Sequence, residues 1–423
     1  MLNLVLNLIQ YRFSISFNAP VLVWTSYPET SNESSSPLWG EDSDEGQRIG
    51  SPLPPRPLPP GRARESSFVT KPFWEFSLGI PFIQQYRIAQ YVLTQRLRGR
   101  KRYPLVLMLE PLFRCNLACG GCGKIDYPEE ILNRHLSVEE CLSAVDESGA
   151  PVVSITGGEP LIHKEMPRIV AALIKRKKFV YLCTNGLLLR TRIEDYAPSP
   201  YLTLSIHLDG NRERHDTLAG VKGVYDQAVD AIKLCAKKGF RVTISCTLYE
   251  GVTAEEAAEH FDFVTALGVE GITVSPGYGY ARAPQKDLFL TVSKSRDLFR
   301  EIFKLGKGRR WRFNQSALFL DFLAGNRSYQ CTPWGNPTRN VFGWQKPCYL
   351  LNDGGYAPSF KALLKETNWS NYGRGRNPKC AHCMLHSGFE ATAVNDAFSH
   401  PLRALWASLL GPRTDRPVVN DHP

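Results

Sequence analysis

Six short runs rich in Val, Ile and Leu alternate with amphipathic helical patterns through the middle of this 423-residue chain. Each run has the length and composition of a strand that is buried on both faces. Repeated strand–helix units build a parallel sheet. We therefore predict an α/β fold, a partial (β/α)6 TIM-like barrel, with its functional residues on loops at the C-terminal ends of the strands. The predicted strands are residues 105–110, 152–156, 179–184, 202–207, 241–247 and 271–275.

The two ends of the chain have a different character. Residues 1–77 include the stretch SNESSSPLWGEDSDEG and then PLPPRPLPPGR, a composition that cannot bury enough apolar surface to offset chain entropy. We predict a disordered leader there. Beyond residue 308 the strand–helix rhythm stops. We expect a core at 105–308, a cysteine-containing C-terminal extension at 309–394 and a flexible tail at 395–423.

Between the leader and the core, residues 78–104 predict a basic amphipathic helix. Its last turns are strongly basic, which complements the C-terminal end of a helix. Its apolar face either packs on the barrel or dips into an anionic membrane surface, and we favour packing on the barrel. The residues concerned are Phe82, Tyr86, Ala89, Leu93 and Leu97 on the apolar face and Arg96, Arg98, Arg100, Lys101 and Arg102 at the basic end.

The net charge and the cysteine content indicate which partners and which cellular compartment to expect. The formal net charge is +10, a modest excess for this length, and we expect a solvated surface with no nucleic-acid partner. No run approaches the ~18 apolar residues that cross a bilayer. The eleven cysteines are spread through a long chain, which favours a reducing compartment over a disulfide framework. We therefore expect a cytoplasmic protein, and peripheral contact with the inner membrane face stays open.

Three cysteines stand close together after the first predicted strand. Cys115, Cys119 and Cys122 are separated by three and then two residues. Iron–sulfur cubanes are normally held by four thiolates, so three thiolates leave one iron open. An open position is typical of a metal centre that binds a substrate. A structural zinc knuckle with a fourth ligand elsewhere in the chain is the alternative.

A second motif, Gly157-Gly158-Glu159-Pro160, follows the next predicted strand. The CxxxCxxC and GGEP motifs together resemble the radical S-adenosylmethionine (SAM) superfamily. Segments such as YLCTNGLLL, SPYLTLSIHLDG and CTPWGNPTRNVFGWQKPCYL are also similar to the HpnH family of hopanoid-biosynthesis proteins, the adenosylhopane synthases. This closer resemblance runs from about residue 78 to about residue 394.

The abrupt start of that resemblance bears on the leader. No Met lies between Met1 and Met108. We hypothesise that residues 1–77 are not native and that an upstream start has been assigned in place of a non-AUG one.

The resemblance implies a role for each strand end. The three cysteines would hold a [4Fe–4S] cluster whose open iron takes the amino and carboxylate groups of SAM. The GGE backbone would lie near those groups, because glycine permits close approach. The alternation of side chains along a strand puts three further candidates on one side of the fourth strand. The implied SAM-binding residues are Gly157, Gly158 and Glu159 at the amino acid end, Ser205, His207 and Asp209 on the ribose and sulfonium side, and Ser275 with Pro276 and Gly277 at the adenine; His207 is alternatively a buried core histidine.

Cys183 ends the third predicted strand, in the segment FVYLCTNG. A buried free cysteine is usually a small hydrophobic residue. A thiol also has a weak S–H bond, however, and is a competent hydrogen-atom donor. The resemblance implies this catalytic role for Cys183, with Cys246 on the fifth strand as the local alternative and Thr184 and Asn185 as polar neighbours.

The reaction that the resemblance implies is an addition to an alkene. One electron from a flavodoxin- or ferredoxin-type donor cleaves SAM to methionine and a 5′-deoxyadenosyl radical. The 5′ carbon adds to the terminal alkene of diploptene, a hopene, and Cys183 gives a hydrogen atom to the resulting tertiary radical to form adenosylhopane. The alternatives are another radical SAM reaction, such as maturation of a ribosomally made peptide, and a non-catalytic iron–sulfur protein.

The extension adds four cysteines, Cys331, Cys348, Cys380 and Cys383. A CxxC pair with two distant cysteines can hold zinc or an auxiliary cluster. The resembled family has CxxCxxxC at this point, and here Ser387 stands in place of the third cysteine. We therefore favour no second metal, which also argues against peptide maturation that uses an auxiliary cluster.

Overall fold

The computed structural model describes residues 80–279, 282–351 and 353–419, and the predicted leader lies outside them. Six parallel strands alternate with helices, which confirms the predicted α/β partial barrel. The observed strands match the predicted ranges to within one residue at each end. They are β1 Val106–Leu109, β2 Val152–Ile155, β3 Phe179–Thr184, β4 Leu202–His207, β5 Arg241–Leu248 and β6 Gly271–Pro276.

The helices of the core precede the first strand, connect the six strands and follow the last one. They are α1 Phe82–Leu97, α2 Glu129–Leu132, α3 Val138–Ser148, α4 Met166–Lys175, α5 Leu189–Arg192, α6 Arg212–Ala219, α7 Val224–Lys237, α8 Ala254–Ala266 and α9 Val292–Leu305. Capping boxes begin α3 and α8. In α3 the hydroxyl of Ser137 accepts the N–H of Glu140, whose carboxylate accepts the N–H of Ser137 in return. Thr253 and Glu256 repeat this exchange at α8.

The two faces of the barrel strands differ in polarity. Leu109, Ile155 and Leu182 lie side by side in adjacent strands and belong to the main apolar core beneath the helices. On the alternate positions, Ser154 pairs with Tyr181 in the same register. We expected both faces of the strands to be apolar. The face beneath the helices is apolar, but hydroxyl groups line the interior face.

The C-terminal extension continues the same sheet. β7 Thr338–Asn340 pairs in parallel with β1, and β8 Gly343–Gln345 and β9 Tyr356–Ala357 follow antiparallel. The strand order is β6-β5-β4-β3-β2-β1-β7-β8-β9. The extension also contains helices α10 Ala317–Leu323, α11 Phe360–Glu366, α12 His386–Ser399 and α13 Pro401–Leu410.

Helix α1 packs with the opposite face from the one predicted. Its contact face carries Gln84, Val92 and Gln95, which are buried. The side-chain amide of Gln84 donates to the Tyr181 hydroxyl at 3.1 Å, so a polar barrel position selects a polar face of the helix. The predicted packing face is wrong, because Phe82, Tyr86, Leu93 and Leu97 are exposed.

The described part of the predicted tail, residues 395–419, contains helical structure. The end of α12 and all of α13 lie within residues 395–419. The N–H of Val419 donates to the Gly325 carbonyl at 2.8 Å, which ties the last described residue to the extension. In the described part of the chain no helix is both long enough and apolar enough to cross a membrane.

Candidate active site

The three motif cysteines lie on the loop that leaves β1 at the C-terminal edge of the sheet. The N–H of Cys122 donates to the Cys119 carbonyl at 3.0 Å and closes a tight turn. Cys115 and Cys119 pack against a small apolar cluster that includes Leu117. Burial, and then the nearby thiols of Cys122 and Cys115, raise the pKa of Cys119 to about 12. The three sulfur atoms are therefore close enough to influence one another.

Glycines in this loop let other strand ends approach it closely. A Cβ added at Gly121 would lie 2.5 Å from the hydroxyl oxygen of Tyr249, which follows β5. A Cβ added at Gly123 would lie 2.3 Å from the carbonyl oxygen of Arg282, which follows β6. Any side chain at either position would push these loops away, so the glycines are required by packing.

The GGEP segment, which follows β2, packs directly on the cysteine loop. The N–H of Gly158 donates to the Leu112 carbonyl at 3.0 Å, and the N–H of Glu159 donates to the Arg114 carbonyl at 2.9 Å. A Cβ at Gly158 would lie 2.1 Å from the Arg114 oxygen. Gly157 has φ 106°, a backbone conformation that favours glycine. The structure thus brings the two sequence motifs together.

The Glu159 carboxylate connects this segment to the loop after β3. It is 1% exposed and accepts the Thr184 hydroxyl at 2.8 Å, the Asn185 N–H at 2.9 Å and the Leu161 N–H at 3.0 Å. Burial raises the pKa of Glu159, against these hydrogen bonds. The side-chain amide of Asn185 in turn donates to the side chain of Asn116 at 2.7 Å, next to Cys115. The Glu159 side chain therefore holds the GGEP segment against the loop after β3.

Cys183 is half-buried on the interior face of β3. Its sulfur lies 3.4 Å from the Ser154 hydroxyl, and it stands opposite Ser205 in the register of β4. Burial raises the pKa of this thiol. Cys246, the alternative hydrogen donor, is fully buried in the apolar core beneath the helices. Of the two cysteines, Cys183 is the one on the face where the motif loops converge.

His207 and Asp209 form a hydrogen-bonded pair at the end of β4. The distance from His207 Nε2 to Asp209 Oδ2 is 2.7 Å, and the Thr247 N–H donates to Asp209 Oδ1 at 2.7 Å. Burial opposes both charges, but their mutual attraction outweighs it, raising the pKa of His207 and lowering that of Asp209. The imidazole remains partly exposed, so His207 is not a sequestered core histidine.

Ser275, at the end of β6, has a partner that the sequence did not suggest. Its hydroxyl lies 2.9 Å from Nδ1 of His386, at the start of α12. Burial lowers the pKa of His386 to about 4, so the imidazole is neutral near pH 7. The Ser275 hydroxyl thus joins the barrel to the extension.

The sequence analysis missed a charged pair beside the cysteine loop. Lys124 Nζ lies 2.8 Å from the buried carboxylate of Glu110. The same ammonium lies 5.2 Å from the ring centre of Tyr349 and 4.9 Å from that of Phe113. The only signal in the sequence for this pair is that Lys124 stands two residues after the last cysteine of the motif. Tyr349 brings the extension to the mouth of the barrel.

The cysteine loop fits an iron–sulfur cubane by its donor set, which is the three thiols of Cys115, Cys119 and Cys122. A cubane takes one thiolate at each iron, so three thiols leave one iron open. Glycines at 120, 121 and 123 let the side chains of Gln285 and Tyr249 and the carbonyl of Arg282 pack closely against this loop.

The fold and this loop define a protein with a β/α partial barrel and a three-cysteine site at its open end. Residues 109–264 match the Radical SAM superfamily, and residues 272–407 match a domain of unknown function, DUF3463. Residues 109–264 therefore form a radical SAM domain, in agreement with the superfamily resemblance. Its cofactors are a [4Fe–4S] cluster and S-adenosylmethionine, as predicted.

Curated relatives match only part of the chain. It is 31% identical over 139 residues to Fe-coproporphyrin III synthase of Methanosarcina barkeri, covering 32% of this chain and 35% of that protein. It is 29% identical over 172 residues to the antilisterial bacteriocin subtilosin biosynthesis protein AlbA of Bacillus subtilis, covering 39% and 38%. The chain thus spans little more than a third of the length of either relative, and neither is named as a hopanoid enzyme.

Solved structures agree on the fold. Streptococcus suis SuiB superimposes with a TM-score of 0.53 at 18% identity, over 73% of this chain and 76% of that one. SuiB has also been solved with S-adenosylmethionine and with the precursor peptide SuiA. At this identity the likeness shows the fold alone.

Proposed function

We propose that this protein adds the 5′-deoxyadenosyl group of SAM to an alkene, with diploptene as the substrate and adenosylhopane as the product. The bound cluster and SAM supply the 5′-deoxyadenosyl radical. Addition to an alkene leaves a carbon radical that must gain a hydrogen atom. The observation that carries the proposal is the Cys183 thiol on the interior face of β3, beside Ser154 and Ser205. The hopene itself rests on the sequence resemblance.

The environment of Cys183 suits a hydrogen-atom donor. Burial raises the pKa of the thiol, so Cys183 keeps its S–H bond near neutral pH. After the transfer, the sulfur is left as a thiyl radical. One electron from a flavodoxin- or ferredoxin-type donor and one proton return it to the thiol for the next turnover.

We assign the other predicted site residues to binding the cluster and SAM. Cys115, Cys119 and Cys122 would hold the cluster. The backbone of Gly157, Gly158 and Glu159, which lies on the cysteine loop, would border the amino acid end of SAM. His207, oriented by Asp209, and Ser205 would face the ribose and sulfonium side. Ser275 would lie beside the adenine of SAM, and its hydroxyl also contacts His386.

Peptide maturation is the second candidate. It is favoured by the names of the relatives, since AlbA is a bacteriocin biosynthesis protein and SuiB has been solved with a precursor peptide. In this reaction Cys183 would still face the substrate, but the substrate would be a peptide. The two candidates share the radical SAM core and differ in what occupies the barrel mouth.

An anaerobic assay with SAM, reductant and diploptene, read by mass spectrometry, tests the proposal. The wild type should form adenosylhopane. Cys183→Ala should still cleave SAM but should lose at least 10-fold of the hydrogen-terminated product. Cys246→Ala, on the other face of the sheet, is the matched control and should keep the product yield.

Three results would count against the proposal. If the wild type cleaves SAM to 5′-deoxyadenosine without any adenosylated hopene, the radical core stands and the alkene assignment fails. A peptide-derived product from a peptide substrate would then favour the second candidate. If Cys183→Ala and Cys246→Ala give equal yields of the terminated product, Cys183 is not the donor.

We also propose peripheral contact with an anionic membrane surface, which would bring the enzyme to an apolar substrate. Ten of the fourteen exposed large apolar side chains in the described residues lie on two helices, α1 and α13. They are Phe82, Ile83, Tyr86, Leu93 and Leu97 on α1 and Leu402, Leu405, Trp406, Leu409 and Leu410 on α13.

A further inference from the structure

We infer that the surface around the cysteine loop is the docking site for an acidic redox protein that delivers electrons one at a time to the cluster. Five exposed residues, which we call the cysteine-loop face, form this surface: Ala118, Val221, Lys222, Gln285 and Lys286. The inference rests on the proposed function for the need of an electron donor, and it assigns the place where that donor binds. It does not depend on the substrate.

Two loops from other strand ends meet the cysteine loop at Gly120. The Gly120 N–H donates to the Leu218 carbonyl at 3.0 Å, and the Gly120 carbonyl accepts the Gln285 N–H at 3.2 Å. A Cβ added at Gly120 would lie 2.6 Å from Gln285 Oε1. Lys222 follows Leu218 closely in the chain, and Lys286 is next to Gln285. Both lysines are therefore carried by loops that contact the cysteine loop.

The cysteine-loop face lies close to the cluster ligands. Cys119 packs against a small apolar cluster that includes Ala219 and Val224. These two buried residues directly flank the loop 220–223, in which Val221 is 47% exposed. The same short segment therefore contacts a cluster ligand and reaches solvent. Because electron tunnelling falls steeply with distance, a donor that docks here has a short path to the cluster.

The loop 220–223 is held in place by Asp216. The Asp216 carboxylate accepts the N–H groups of Gly223 and Tyr225 at 2.7 and 2.8 Å. The Val221 N–H donates to the Asp216 carbonyl at 3.2 Å. A loop that is already ordered gives up little conformational entropy when a partner binds to it.

Two lysines of the face are available to a partner. Lys222 and Lys286 are exposed, and neither forms an ion pair with another described residue. Arg212, on the neighbouring helix α6, is instead paired with Asp226 at 2.6 Å. Asp287, which follows Lys286, is also exposed and reduces the positive charge there. The lysines of the face thus remain free to attract an acidic surface.

An acidic redox protein suits this arrangement. Opposite charges speed the encounter of two proteins and orient them. Val221 adds an exposed apolar contact between the lysine and the cysteine loop in the chain. Electron-transfer complexes bury less surface than stable complexes do. A small face of this kind is therefore sufficient for a donor that must leave after each electron.

Titration of the full-length holoprotein with an acidic flavodoxin tests the docking site. We expect flavodoxin to bind the wild type at low salt and to be released as salt screens the charges. Lys222→Glu with Lys286→Glu should raise the dissociation constant about 10-fold, because repulsion replaces attraction on the same face. Asp287→Lys should have the opposite effect and lower the dissociation constant about 3-fold.

The rate of cluster reduction, measured from the loss of iron–sulfur absorbance, is a second readout. At subsaturating flavodoxin the cluster of the Lys222→Glu, Lys286→Glu variant should be reduced about 10-fold more slowly than that of the wild type. Dithionite needs no docking site and should reduce both proteins at the same rate.

The matched control is Lys175→Glu with Lys237→Glu. These exposed lysines lie in the last turns of α4 and α7, shortly before β3 and β5 begin. They are therefore at the N-terminal edge of the sheet, opposite the cysteine loop. The control makes the same change in net charge and should match the wild type in flavodoxin binding and in cluster reduction.

Three results would overturn the docking site. One is a wild type that does not bind flavodoxin at low salt. Another is an equal loss of binding in the control variant, which would show that net charge and not this face determines the affinity. The third is a Lys222→Glu, Lys286→Glu variant that flavodoxin reduces as fast as the wild type. Cleavage of SAM with dithionite does not need the docking site, so a failure of the proposed function would appear there and not in flavodoxin binding.

Discussion

Glu159 is the single residue on which the geometry of the site most depends. Its carboxylate accepts three hydrogen bonds, from Thr184, Asn185 and Leu161, and it is almost fully buried. The motif predicted a backbone role for this residue beside SAM. The structure adds a side-chain role, because the carboxylate holds the loop after β2 to the loop after β3.

We expect Glu159→Gln to destabilise the protein. Glutamine keeps the shape of the side chain, but its NH₂ group would face a donor where the carboxylate has an acceptor, which costs about 2 kcal/mol in the free energy of unfolding. Urea denaturation of the reconstituted protein measures this. Thr184→Val removes one of the three donors and should cost about 1 kcal/mol. Equal midpoints for Glu159→Gln and the wild type would contradict the role.

At the scale of helices, Glu390 on α12 contacts the start of α10. Its carboxylate accepts the Ser316 N–H at 2.8 Å, and its second oxygen is buried without a hydrogen-bond partner. Burial raises the pKa of Glu390 to about 7. The folded protein therefore binds a proton here that the unfolded chain releases above its ordinary pKa, near 4.5.

The sign of the pH effect follows from this difference. Between about pH 4.5 and about pH 7 the folded state holds more protons than the unfolded state, so stability falls as pH rises. We expect Glu390→Gln to match the wild type near pH 4 and to be more stable by about 3 kcal/mol near pH 8. Thermal denaturation at the two pH values measures this. A gain of the same size at both would show that the carboxyl does not titrate as described.

The elements of the barrel were predictable because their signals are local. Strand composition placed β1 to β6 to within a residue of their observed ends. The face of α1 was not predictable, because its contact with the barrel is a hydrogen bond between Gln84 and Tyr181. An apolar stripe indicates that a helix is amphipathic, but it does not say which surface covers it.

The site was also only partly predictable from local sequence signals. The CxxxCxxC and GGEP motifs located two loops, and the contact between Gly158 and Leu112 confirms that they meet. The bond between Ser275 and His386, and the approach of Tyr349 to Lys124, join residues far apart in the chain. No spacing rule reports such pairs, since they depend on how the extension continues the sheet beyond β1.

For the whole molecule, the exposed faces of α1 and α13 form a candidate membrane surface. The two helices are linked through α12, because the Arg96 guanidinium donates to the Asn395 carbonyl at 2.7 Å and to the Ser399 hydroxyl at 3.2 Å. Arg98, Arg100 and Lys101 are exposed at the end of α1. The groove beside α13 is lined by further cations, Arg403, Arg413 and Arg416. Apolar side chains flanked by cations suit an anionic bilayer.

Vesicle flotation of the full-length holoprotein tests this surface. We expect the protein to float with vesicles that contain anionic phospholipid, to bind neutral vesicles weakly, and to be released as salt screens the cations. Leu93→Gln with Leu409→Gln should reduce binding at least 10-fold, since each change removes exposed apolar area from one of the two helices. Val221→Gln is the matched control, because Val221 is an exposed apolar residue outside both helices. Equal binding by all three proteins would refute the assignment. A second contradicting result is a wild type that does not bind anionic vesicles but forms a dimer, when the double variant cannot form that dimer. The apolar faces would then bind a second copy of the chain.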